Sequence, residues 1–196
     1  MYRISINISI FVLPLTFKTI DMKTKTTQIL GVMQILAWLA FIGYAAEAGA
    51  ILISFGVSCV NPEASKNLYK GLNLYDLRQF SFLYYILTIS LMVVISVMKS
   101  YIWYLVIKIL SKMNLMNPFK IEVTHILEKM SYILFATWVA ASLINALTLW
   151  LMKESEVLQG KTNSVDEFLF MAGLVFIISQ VFKRGVEIQS ENELTV

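Results

Sequence analysis

The sequence predicts an all-α membrane protein: a bundle of four transmembrane helices with interfacial helices on the cytoplasmic side. Three observations carry that expectation. Hydrophobic residues make up 58% of the 196 residues and charged residues 15%, against roughly 45–50% and about 25% in soluble domains. A water-soluble chain of this size could not hide so much apolar surface, whereas a bilayer makes an apolar exterior the stable arrangement. Four apolar stretches approach the ~20 residues needed to cross a bilayer. None alternates in the manner of barrel strands, so the buried backbone must satisfy itself within helices.

Residues 1–21 read as a leader or interfacial anchor ahead of the membrane domain at 22–196. Their apolar run is interrupted by Ser5, Asn7, Ser9, Pro14 and Thr16 and is too short to span. Arg3 is the only basic residue ahead of the run and there is no small-residue cleavage site, which makes a poor signal peptide. Met22, followed by Lys23 and Lys25, is a more natural start. The first span is expected at 29–57, with Glu47 its one charge and Asn61-Pro62 behind its end. The second is expected at 80–98, with Lys99 at its end and an amphipathic extension, Tyr101 to Met113, carrying Lys108 and Lys112 on one face. Asn117-Pro118-Phe119 is the clearest punctuation. Proline discourages helix before it and favours a helix start, with Asn as the cap. A linker helix from Pro118 to about Met130 should precede a third span at 133–151. The fourth, 168–182, should stop at Lys183 and Arg184, with Gly185 as a C-cap and an acidic tail after it.

Charge placement sets the orientation. Arg3, Lys18, Lys23, Lys25, Lys99, Lys108, Lys112, Lys120, Lys129, Lys183 and Arg184 fall on one side, and only Lys66, Lys70, Arg78, Lys153 and Lys161 on the other. By the positive-inside rule both termini and the Pro118 linker are cytoplasmic. The net charge of +3 gives no reason to expect direct nucleic-acid binding.

Glu47 is the foremost candidate site residue. An ionisable group within a span is costly, about 2.5–3.5 kcal/mol at the centre on insertion scales, and usually faces the bundle. Residue counting places Thr88 and Asn145 at a similar depth. The three could form a polar site that binds a ligand or ion, or carries a proton; the reading to prefer is that Glu47 is a protonated or hydrogen-bonded residue that fixes helix register. Ala45/Gly49 and Ala136/Ala140 have the small-xxx-small spacing that lets helices approach closely, within the bundle or across a homodimer. His125 is the sole histidine and Cys59 the sole cysteine, so there is no histidine–cysteine metal cluster and no intrachain disulfide. No nucleotide-binding loop, zinc-protease motif or nucleophile elbow is present, and neither an enzyme nor a cofactor is expected.

The C-terminal stretch, Met171-Ala172-Gly173-Leu174-Val175-Phe176 and then Phe182-Lys183-Arg184-Gly185-Val186-Glu187-Ile188-Gln189-Ser190-Glu191-Asn192-Glu193-Leu194-Thr195-Val196, resembles the end of a family of small bacterial membrane proteins known only as a domain of unknown function. The family pattern has four spans, an Asn-Pro-Phe after the second, matched by Asn117, Pro118 and Phe119, and a terminal signature close to F-K-R-G-x-E-L-Q-x-E-N-D-L-T. Here Ile188 stands for Leu and Glu193 for Asp. The resemblance covers roughly residues 25–196. It implies an inner-membrane location and no known activity. Family genes often neighbour one for a small helix-turn-helix regulator, which implies a membrane partner for a transcription factor. A tail bearing Lys183, Arg184, Gly185, Glu187, Gln189, Glu191, Asn192, Glu193 and Leu194 could meet such a basic protein by charge complementarity, or could fold back on Lys108, Lys112 or Lys120.

Overall fold

The computed structural model describes residues 13–69, 72–113, 118–155 and 165–194, with side chains over 25–69, 72–113, 118–153 and 165–192. Asn117, Thr195 and Val196 lie outside the described residues, as do the side chains of Glu193 and Leu194. Among the described residues the secondary structure is helical throughout, with no strand. The long helices are α1 (Leu13–Val60), α3 (Phe82–Lys112), α4 (Ile121–Ser155) and α5 (Asp166–Leu194), with a short α2 (Tyr75–Phe80) between the first two. Each long helix holds a stretch long and apolar enough to cross a membrane, with mean hydropathy between 1.5 and 2.0.

The helices run longer than the apolar stretches within them. At ~1.5 Å per residue, the 31 residues of α3 extend well past a hydrocarbon core ~30 Å thick. The amphipathic extension expected after Lys99 is the second half of α3, continuous with the span. The linker helix and the third span are likewise one helix, α4, which begins at Ile121 rather than Pro118. Helix α1 reaches back to Leu13 and ends at Val60, where Asn61 and Pro62 open a 3-10 turn. The Asn61 side chain accepts from the Glu63 N–H at 3.1 Å and so caps that turn. Lys66 donates to Glu63, which holds the Glu63 carboxyl below its usual range.

Two apolar clusters hold the bundle together. One joins Ile51 on α1, Tyr85 and Ile89 on α3 and Leu151 on α4 to Leu68, Leu74 and Leu77 of the intervening loop. That loop is polar in composition, yet it folds inward as a plug, with Leu77 fully buried. Beside it the Tyr85 hydroxyl meets Ser58 Oγ at 2.5 Å, and Ser58 Oγ donates to the Phe55 carbonyl. The other cluster joins Leu105 on α3, Val123, Ile126, Leu127, Met130 and Leu134 on α4, and Ala172 and Val175 on α5. The apolar part of α5 thus lies beside the second half of α3 and the first half of α4, not beside their most apolar stretches. Two fully buried hydroxyls are satisfied inside their own helices: Thr137 donates to the Ile133 carbonyl at 2.7 Å and Ser179 to the Phe176 carbonyl at 2.7 Å.

Candidate functional site

Helical spacing brings polar side chains from three long helices to one cavity. Positions four apart share a helix face, and Glu47 and Ile51 on α1, Ile95 and Lys99 with Met92 and Ser96 on α3, and Ala141 and Asn145 on α4 all follow that rule. Together with Ile144, and with Val165 and Phe168 at the start of α5, they enclose about 230 Å³. Lys99 is the cation of this site. Its Nζ lies 5.7 Å from the centre of the Tyr44 ring and 5.5 Å from that of Phe168, within the range where an ammonium is attracted by a ring face.

A second cavity of about 570 Å³ adjoins the first, and Lys99 and Phe168 belong to the walls of both. Its other walls are largely apolar: Tyr44, Ile102, Trp103, Val106, Met130, Leu134, Met171 and Val175, with Glu167 the one acidic residue. The two cavities sit where the two apolar clusters meet, so that level of the bundle is partly polar and incompletely filled.

The structure brings Glu47 and Asn145 together but not Thr88. Thr88 lies on α3 eight residues before Ser96, about 12 Å along the helix axis. It is 6% exposed, and its hydroxyl has no hydrogen-bond partner. Ser96 and Lys99 occupy the places that sequence reasoning left out. Lys99 reads as a boundary because the apolar run stops there. The helical extension expected from Tyr101 to Met113 is what places Lys99 mid-helix, although the end of the apolar run hides its part in the cavity.

The two motifs that carry the family resemblance meet in space. The Phe119 ring packs edge-on to Phe182, with centroids 5.4 Å apart, and covers Gly185 so closely that a Cβ there would lie 2.4 Å from a ring carbon. Gly185 is therefore not a helix C-cap. Helix α5 continues through it to Leu194, and the missing side chain makes room for Phe119. The acidic tail forms the last turns of this helix, with Arg184 pairing to Glu187 at 2.8 Å. In the linker, Lys112 pairs with Glu122 on α4.

The remaining candidates carry little chemistry. His125 is exposed, its Nδ1 3.9 Å from a Glu128 carboxylate oxygen, and Cys59 is an exposed free thiol. Among the described residues no three His, Cys, Asp or Glu side chains group to hold a metal. Ala45 and Gly49 line a shallow groove between α1 and α3, and Ala140 is buried inside the bundle.

No curated protein and no solved structure matches the chain. The family model described as a protein of unknown function (DUF2975) matches residues 76–196, which take in α3, α4, α5 and nearly all of α2 but not α1. With well over half of its length inside that match, the chain belongs to the DUF2975 family.

Proposed function

We propose that this chain is a non-enzymatic, multi-pass inner-membrane protein that acts as a sensor or tether through protein contacts of its cytoplasmic tail, with a small helix-turn-helix regulator as the partner. The observation that supports this reading most is the continuity of α5. One unbroken helix starts in the wall of the polar cavity at Phe168, passes under Phe119 at Gly185 and ends in the acidic tail. A change in the cavity could move the tail as a rigid lever, since a packed helix shifts as a unit. The test is co-purification from the native host with an N-terminal tag and mild detergent. A helix-turn-helix protein should accompany the full chain and be lost when the chain ends at Arg184. It should also be lost on Glu187→Lys with Glu191→Lys, which keeps the helix intact. Recovery of no specific partner with the full chain would sink this reading.

A second reading treats the protein as a small transporter or an immunity or resistance factor built around Glu47. The cavity shared by Glu47, Lys99 and Asn145 favours it, because charged groups inside a bundle commonly mark ion or substrate paths. Under this reading Glu47→Gln abolishes function while the tail is dispensable. Under the tether reading the same variant, which keeps the hydrogen-bonding shape, retains function.

A further inference from the structure

Basic side chains from three helices converge at one end of the bundle. Lys112 on α3 pairs with Glu122 on α4, and Glu122 also feels the charges of Lys108 and Lys120. The Phe119 ring touches Phe182 and Gly185, which brings the segment bearing Lys120 against the turn of α5 that bears Lys183 and Arg184. Two ion pairs form here, Lys112 with Glu122 and Arg184 with Glu187. Lys108, Lys120 and Lys183 are exposed and enter neither pair. We propose that these three lysines form a binding surface for the headgroups of anionic phospholipids.

What lies next to the lysines favours a lipid over a soluble polyanion. Toward the middle of its own helix, each has an exposed apolar or aromatic neighbour: Tyr104 one turn before Lys108, Ile121 next to Lys120, and Val181 two residues before Lys183. An ammonium beside such a group suits a boundary between acyl chains and headgroups. A nucleic acid or an acidic protein segment would match the charges and leave the apolar neighbours in water. An anionic lipid matches both, its phosphate meeting a lysine and its chains the neighbour. A zwitterionic lipid brings no net charge for three ammonium groups to attract. Near an anionic membrane surface each lysine contributes about fivefold to binding, or about 1 kcal/mol. The three together account for about a hundredfold. The attraction is screened over about 10 Å in 0.1 M salt.

The test captures the tagged full chain in mild detergent with phosphatidylglycerol and phosphatidylcholine offered in equal amounts, and counts the bound lipid by mass spectrometry. The wild type should favour phosphatidylglycerol at least tenfold at about 50 mM salt and lose most of that preference at about 500 mM. Lys108→Gln, Lys120→Gln and Lys183→Gln combined should bring the preference close to parity, and arginine at the same three positions should keep it. Lys66→Gln with Lys153→Gln, at the other end of the bundle beside Leu68 and Leu151, should leave it unchanged. Equal retention of the two lipids by the wild type would overturn the proposal, as would an equal loss from the Lys66 and Lys153 substitutions. Full displacement of phosphatidylglycerol by soluble polyglutamate at the same concentration of charge would also overturn it, and would assign the surface to an acidic protein. The salt series on the wild type decides the matter even where a substituted chain fails to fold. The surface uses neither Glu187 nor Glu191, so lipid preference can fail while partner co-purification succeeds, and the reverse.

Discussion

Gly185→Ala is the substitution whose outcome the packing fixes most sharply. In the interior of an exposed helix, alanine is favoured over glycine by about 0.8–1 kcal/mol. At position 185 the new methyl would meet Phe119 Cδ1 at 2.4 Å and Cε1 at 2.7 Å, distances at which something must move. Over-packing of this kind costs about 1–3 kcal/mol. Phe119 is 38% exposed and sits in the coil just before α4, so its ring can swing outward, and the cost should fall in the lower part of that range. The net effect in the natural chain is a loss of about 0–2 kcal/mol. In a Phe119→Ala background the obstruction is gone and only the helix preference remains, so the same change should stabilise by about 1 kcal/mol. A double-mutant cycle, read by SDS denaturation in mixed micelles with helicity followed by circular dichroism, should therefore show a coupling of about 1–3 kcal/mol with a change of sign. An identical effect of Gly185→Ala in both backgrounds would refute the contact between the two motifs.

Other positions give equally direct tests. Thr88→Val removes a buried hydroxyl that has no partner and keeps the shape, so it should stabilise the fold by about 1 kcal/mol in the same denaturation assay; a loss of biological activity instead would return Thr88 to the functional site. Leu77→Ala empties the centre of the loop plug, where the side chain is 0% exposed, and should cost about 2–5 kcal/mol. Tyr85→Phe removes only the hydroxyl that meets Ser58, at about 0.5–1.5 kcal/mol; a larger loss would mean the pair organises more than its own contact. Cys59 is exposed just before α1 ends, and a membrane-impermeant maleimide should label it in intact spheroplasts if both termini are cytoplasmic. Labelling only after lysis would reverse the orientation.

The sequence made some of this legible and hid the rest for physical reasons. Four helices follow from composition and apolar length, because a bilayer leaves the backbone few alternatives. The end of α1 follows from Asn61 and Pro62, whose capping and lost N–H act locally. The place of Lys99 in the cavity and the course of α5 beyond Gly185 did not follow. A lysine ends an apolar run without ending a helix, and a glycine can serve a close approach as readily as a C-cap; only the position of Phe119 distinguishes the two. Glu47 and Asn145 share a cavity because they lie level across the bundle, which residue counting can reach. Thr88 does not join them, because counting from apolar boundaries assumed the helices stop where their apolar runs stop. The inward fold of Leu68, Leu74 and Leu77 was hidden by the charged residues around them.

The order of packing also bears on how the chain is made. The main packed pairs of long helices are α1 with α3, α3 with α4 and α4 with α5, so each long helix after the first packs on the one synthesised just before it. Contacts between successive elements are the least costly to close during folding, and a chain emerging N-terminus first can add them in turn. Assembly can thus proceed as a series of hairpins, the loop plug closing the first of them. Helix α5 arrives last and supplies the α5 half of the second cluster. A protein whose translation stops short of Phe168 would leave the α4 face around Val123 and Met130 bare, a flaw that membrane quality control could recognise.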